Sequence, residues 1–178
     1  IAASDVEGGI YNEKGLDPEE LIIHTLNEGT VVGFPGAESI TNQELLELPV
    51  TVLFPAALEN QITEANADRV KAKMLCELAN GPTTPVADEI LSKNGVFVLP
   101  DFLANAGGVT VSYFEQVQTA YNFYWSLADV QTRLHDKMTS AFEAVYAMHQ
   151  EQGVNMRQAA YLVSVARVAE ACKLRGWV

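Results

Sequence analysis

Three short apolar runs, each closed by a turn of small or amide residues, constrain this chain more than anything else in it. Residues 50–54 end at Pro55-Ala56-Ala57, residues 72–78 at Ala79-Asn80-Gly81, and residues 96–99 lead through Pro100 to Asn105-Ala106-Gly107-Gly108. Helix-start signals separate the runs: Thr63 caps a stretch reaching about Val70, and Thr84-Pro85 opens one that ends near Asn94-Gly95. Short strands alternating with helices predict a mostly parallel sheet with helices on both faces. In such a sheet the strand ends share one edge, and ligands bind in the crevice outside it.

The flanks extend the pattern. Residues 1–4 read as the end of a strand that closes on Asp5. Asp17-Pro18-Glu19-Glu20 carries an Asp cap and a first-turn proline, and Gly29 stops the helix that follows. Thr41-Asn42-Gln43-Glu44 is a capping box. Beyond Asn105 only helices are predicted: 107–121, one from Ser126 (with Asp129 three residues on) to Gln152 and Gly153, and a last one over about 156–174. The expected fold is α/β: a doubly wound, mostly parallel sheet with a helical C-terminal tail. Asp5, Pro55-Ala56-Ala57, Asn80 and Asn105 are expected to converge on one crevice.

A chain of 178 residues, 48% hydrophobic, is the size of one domain and can bury a core. Its net charge of −12 argues against nucleic acid and anionic membranes as partners. The two cysteines, Cys76 and Cys172, have no metal or redox spacing, and His24, His135 and His149 are scattered. No metal site is expected. Apolar runs are too short to cross a bilayer and no signal peptide is read, so a cytoplasmic setting is expected. Ile1 has no methionine before it, and no Gly-x-Gly-x-x-Gly turn occurs. A dinucleotide fold normally begins with a strand and that turn, so the start is expected to be a truncation or an unobserved region.

Several residues could carry chemistry. A carboxylate at Asp5 can accept from ribose hydroxyls and would repel a 2′-phosphate, but it would equally serve an Asx turn. Small side chains at Ala56 and Ala57 would let a ring or phosphate chain approach the backbone, or simply pack tightly under a loop. Asn80 and Asn105 each both donate and accept, which suits a carboxamide or a ribose hydroxyl, although asparagine is common in turns. Gly107 and Gly108 allow close approach at a helix start. Gly108, Val109 and Ser112 fall on one helical face, where the Ser112 hydroxyl could instead bond back to its own helix.

Three separated stretches carry a resemblance: Pro55-Ala56-Ala57-Leu58-Glu59-Asn60, Ala79-Asn80-Gly81-Pro82-Thr83-Thr84 and Asn105-Ala106-Gly107-Gly108-Val109-Thr110-Val111-Ser112-Tyr113-Phe114-Glu115. In this order they resemble the cofactor domain of the glutamate dehydrogenase family, from Ser4-Asp5 to the terminal Leu174-Arg175-Gly176-Trp177-Val178. Leu78 and Gln116 depart from the family pattern, where glycine and tryptophan are usual. The resemblance implies an incomplete Rossmann-like cofactor domain over residues 1–106. It also implies C-terminal helices over 107–178 that complete it and bridge toward an absent substrate domain.

By the same resemblance, Ser4, Asp5, Ala56, Ala57, Asn80 and Asn105 would contact NAD, with NADP the alternative cofactor. Gly108, Val109 and Ser112 would contact glutamate. The activity implied is oxidative deamination of L-glutamate to 2-oxoglutarate and ammonia in a homo-hexamer. The family's acid–base lysine and aspartate lie on the other domain, so no catalytic residue is expected in this chain, which alone should be inactive. The alternatives are a leucine- or phenylalanine-type amino acid dehydrogenase and a non-catalytic nucleotide-binding subunit.

Overall fold

The computed structural model describes residues 1–177; Val178, the end of the expected helical tail, lies outside the described residues. The chain forms two compact units, one of Ile1–Val50 with Arg69–Ala72 and the other of Thr51–Asp68 with Lys73 onward.

The first unit holds an antiparallel sheet of β1 (Ala2–Ser4), β2 (Gly9–Tyr11) and β3 (Glu38–Ile40). The pairs Ala3↔Ile10 and Ser4↔Gly9 fix one register, and Ile10↔Ser39 the other. The strand ending at Asp5 is thus not part of the parallel layer, contrary to the sequence reading. The reason is local: β1 and β2 are joined by a turn in which Asp5 N–H donates to the Gly8 carbonyl at 2.9 Å. So short a connection can only make a hairpin, since a parallel pairing needs a long crossover. Helix α1 (Pro18–Glu28) is capped by Asp17 and stops at Gly29, as predicted. Helix α2 (Asn42–Leu46) carries the expected Thr41–Glu44 capping box. Ile10, Val31 and Phe34 are the core, with Ala3, Leu16, Leu21 and Ala37 packed around them.

The second unit is the α/β part. Strands β4 (Val52–Leu53), β5 (Met74–Cys76) and β6 (Phe97–Leu99) pair in parallel in that order. The stretch after Thr63 forms only a 3-10 turn at Ala67–Arg69 rather than a helix. Here Thr63 N–H donates to Asn66 Oδ1, and Asn66 Nδ2 donates to the Gln61 carbonyl, so local side-chain bonds compete with the helical ladder. Helix α3 (Pro85–Lys93) starts at the Thr84 cap.

The short α4 (Asp101–Ala104) stands between β6 and Asn105 and was not anticipated. The tail is helical as expected: α5 (Ala106–Tyr121), α6 (Leu127–Gln152) and α7 (Met156–Leu174), with Ser126–Asp129 and Asn155 capping the last two. Leu103, Val145, Met156, Ala159 and Ala160 form a buried cluster on which Phe97 and Leu99 of β6 pack. The tail therefore docks onto the parallel layer.

Candidate functional site

Parallel register aligns the ends of the three strands: Leu53 faces Leu75, Leu75 faces Val98, and Cys76 faces Leu99. The turns that follow are tied together by backbone. The buried Pro55 presents its carbonyl to both Leu78 N–H (3.0 Å) and Ala79 N–H (2.9 Å). Asn60 N–H donates to the Gly81 carbonyl, and Ile62 N–H to that of Pro82, both at 2.9 Å. Ala56 and Ala57 are exposed at this edge.

Asn80 and Asn105 meet directly: Asn105 Nδ2 donates to Asn80 Oδ1 at 2.9 Å, with longer approaches to the Leu78 and Ala79 carbonyls. That bond orients both amides. It leaves Asn80 Nδ2 able to donate and Asn105 Oδ1 able to accept, and neither bonds to a described residue. A primary carboxamide offers one accepting and one donating group to match such a pair. The turn depends on Gly81, whose φ of +55° lies in the left-handed region that glycine accepts most readily.

Beneath this turn lies a polar cluster that sequence reading missed. Glu77 is fully buried, and both of its carboxylate oxygens accept from Arg157 Nη2 at 2.8 Å. Arg157 Nε donates to Asp88 at 3.1 Å and Nη1 to Asp101 at 3.2 Å. Glu77 Oε2 also accepts Asp101 N–H, and Asp101 Oδ2 accepts Gly81 N–H, both at 2.9 Å. Burial pulls the Arg157 guanidinium down, but the bond to Glu77 and the charges of Glu77 and Asp88 outweigh it, so its pKa is raised overall. The signal was present: Glu77 interrupts the run Met74-Leu75-Cys76-Glu77-Leu78, and a charge buried in a strand needs a partner. Burial, with Glu77 beside it, pushes the Cys76 thiol up, which suits an unreactive core cysteine.

On α5, Gly108, Val109 and Ser112 are all exposed. Thr110 bonds back to the Ala106 carbonyl at 2.8 Å, whereas the Ser112 hydroxyl bonds to no described residue. Ser4 and Asp5 belong to the other unit. There Asp5 Oδ2 accepts Val31 N–H at 2.6 Å and Oδ1 accepts Glu7 N–H at 2.9 Å. The Val31 bond, foremost, holds the carboxyl below the ordinary aspartate range. Asp5 thus makes the Asx turn that the sequence allowed. Three of the four turns expected at one crevice end the parallel layer; the fourth ends the antiparallel sheet.

Two histidines are occupied structurally: His24 Nε2 lies 3.2 Å from the Val32 carbonyl and His149 Nδ1 2.5 Å from that of Val154. Among the described residues there is no cluster fit to hold a metal, and no helix is long and apolar enough to cross a membrane. A shallow groove of about 660 Å³ along α7, lined by Val154, Tyr161, Leu162 and Val165, contains none of the candidate cofactor or substrate residues.

Residues 1–176 match the family model of Glutamate/Leucine/Phenylalanine/Valine dehydrogenase. The chain belongs to this family. It is 55% identical over 176 residues to a glutamate dehydrogenase of Thermotoga maritima, covering 99% of this chain and 42% of that protein. An NAD-specific glutamate dehydrogenase of Clostridioides difficile is 49% identical over 168 residues, covering 94% and 40%. The hetero-hexameric glutamate dehydrogenase of Thermus thermophilus, solved in a leucine-bound form, superposes with a TM-score of 0.85 at 30% identity, over 94% of this chain and 39% of that one. The likeness agrees with a Rossmann-like fragment carrying a helical tail. The chain spans about two-fifths of the length of the curated relatives it matches.

Proposed function

We propose that the protein to which this chain belongs is an NAD-dependent glutamate dehydrogenase, converting L-glutamate to 2-oxoglutarate and ammonia. The observation that carries this is the Asn80–Asn105 pair at the end of the parallel layer, with one donor and one acceptor left over. Those two atoms fit the carboxamide of a nicotinamide, and the exposed Ala56 and Ala57 leave room for a flat ring or phosphate chain. The bound dinucleotide would supply the hydride acceptor. The chain's own residues bind and orient: Asn80 and Asn105 fix the rotation of the carboxamide, and Gly108 and Val109 shape the substrate side. The Ser112 hydroxyl, unspent within its helix, donates to the distal carboxylate of glutamate. We assign the acid–base groups to the other domain.

NAD is favoured over NADP. Ser4 and Asp5 would meet the adenosine ribose, and a carboxylate held ionised by backbone N–H groups repels a 2′-phosphate. The Clostridioides difficile relative is named NAD-specific, in keeping with this. We further propose that residues 1–106 are cofactor domain, that 107–178 bridge toward the substrate domain, and that the assembly is a cytoplasmic homo-hexamer. The Thermus thermophilus relative is described as hetero-hexameric.

The test uses the intact enzyme with glutamate, leucine and phenylalanine, each with NAD and NADP. Glutamate with NAD should give the highest kcat/KM; a preference for leucine or phenylalanine, or no turnover, would overturn the reading. Asn105→Ala removes a neutral hydrogen-bonding group and should raise KM for NAD roughly 2–10-fold.

A further inference from the structure

The cluster beneath the Asn80 turn is more than a buried ion pair. Four elements meet at one guanidinium: Arg157 on α7, Glu77 just past β5, Asp88 on α3 and Asp101 opening α4. Asn155 Nδ2 adds a donor to Asp88 at 3.3 Å. From the cluster two short routes lead to the paired amides. Asp101 Oδ2 holds Gly81 N–H, one residue from Asn80. The Asp101 carbonyl accepts Asn105 N–H at 2.8 Å, which places Asn105 one turn beyond Asp101. Glu77 fixes Asp101 in turn by accepting its N–H. The bonds that run from Arg157 through Glu77 and Asp101 therefore end on both sides of the Asn80–Asn105 contact.

Stability alone is a weak reason for this arrangement, because well-packed apolar side chains of similar volume commonly do as well as a buried ion pair. Direction is what apolar packing would not supply. A planar guanidinium with five donors in a rigid fork can hold three carboxyl groups at set angles, which an ammonium cannot.

We propose that Arg157 is a positioning residue for cofactor binding, acting through Glu77 and Asp101 to set the spacing and rotation of the Asn80 and Asn105 amides. This rests on the reading of those amides as the nicotinamide contact.

In the intact enzyme, Arg157→Lys keeps a cation but loses the fork, and should raise KM for NAD about tenfold. KM for glutamate should change far less. Asp101→Asn keeps an oxygen for Gly81 N–H while removing the charge opposite Arg157. It is the gentler variant should Arg157→Lys fold poorly, and should act in the same direction. In the double variant Arg157→Lys/Asn105→Ala, the penalty on KM for NAD should fall well short of the product of the two single penalties, because one acts in part through the other. A lowered Tm with KM for NAD unchanged in both Arg157→Lys and Asp101→Asn, or strictly additive penalties, would overturn the positioning role while leaving the amide assignment standing. If Asn80→Ala and Asn105→Ala each leave KM for NAD unchanged, the amide assignment itself falls, and the positioning role with it.

Discussion

Asp5 and Glu77 are both carboxylates close to strand ends, and the fold satisfies them in opposite ways. Asp5 draws on backbone N–H groups of Glu7 and Val31 within its own small unit. Glu77 is buried in the α/β unit and relies on a guanidinium 80 positions later. The first combines a local Asx turn with one backbone bond from Val31, 26 positions away, and needs no opposite charge. The second joins four elements and has no local substitute. Loss of a partner should therefore be tolerated in one region and severe in the other.

The sharpest way to break that contrast is Arg157→Met. It leaves Glu77, Asp88 and Asp101 facing one another without a cation. Removing one member of a buried ion pair costs about 3–5 kcal/mol, read as a lower midpoint in urea unfolding. A loss no greater than that of an exposed charge substitution would show that water reaches the cluster and that the two regions do not differ.

Next in size is Ser112→Ala, which asks whether the α/β unit reads substrate as well as holding itself together. A hydrogen bond to a charged group contributes about 1.5–3 kcal/mol, so kcat/KM for glutamate should fall roughly 10–150-fold. A monocarboxylate such as norvaline should be spared. Equal losses for both substrates would return Ser112 to a structural role.

The smallest effect belongs to Asp5 and is visible through pH. Its carboxyl is held low chiefly by Val31 N–H, so the stabilisation is fully present above the ordinary aspartate pKa and disappears as pH falls through the lower folded value. Glu44, held low by Thr41 N–H, and Asp129, held low by the Ser126 hydroxyl, act with the same sign. Asp5→Asn should lower Tm modestly at pH 7, with the gap closing below about pH 4. Arg157 has the opposite sign: its raised pKa gives stability present at low pH and lost only on strong alkalinisation, so it adds no acid slope. A Tm gap that persists to pH 2 would mean that the Asp5 carboxylate is not what braces the hairpin.

Local chemistry was readable along the chain. The caps at Asp17, Thr41, Thr84 and Ser126 and the stops at Gly29 and Gly153 act within a few residues, and each is where its side chain suggested. The parallel strands were also legible, since turns and apolar runs delimit them. Pairing partners were not: whether residues 2–4 join a parallel layer or a hairpin depends on Gly9, Ile10 and Tyr11, a strand too short to show a period. At the candidate site, the residue types of Asn80, Asn105 and Ser112 drew attention to themselves. The bond between the two amides, and the four-element cluster beneath them, are long-range facts with no periodic signature.

The distance in sequence between Gly81 and Arg157 also bears on how the protein is made. Strands β4 to β6 and both amides leave the ribosome well before the guanidinium that braces them. At roughly 5–20 residues per second the interval is about 4–15 s from Gly81 and about 3–10 s from Asn105. Throughout it Glu77 lacks the guanidinium that pairs with it in the folded chain. Docking of α7 is the event that brings that guanidinium in.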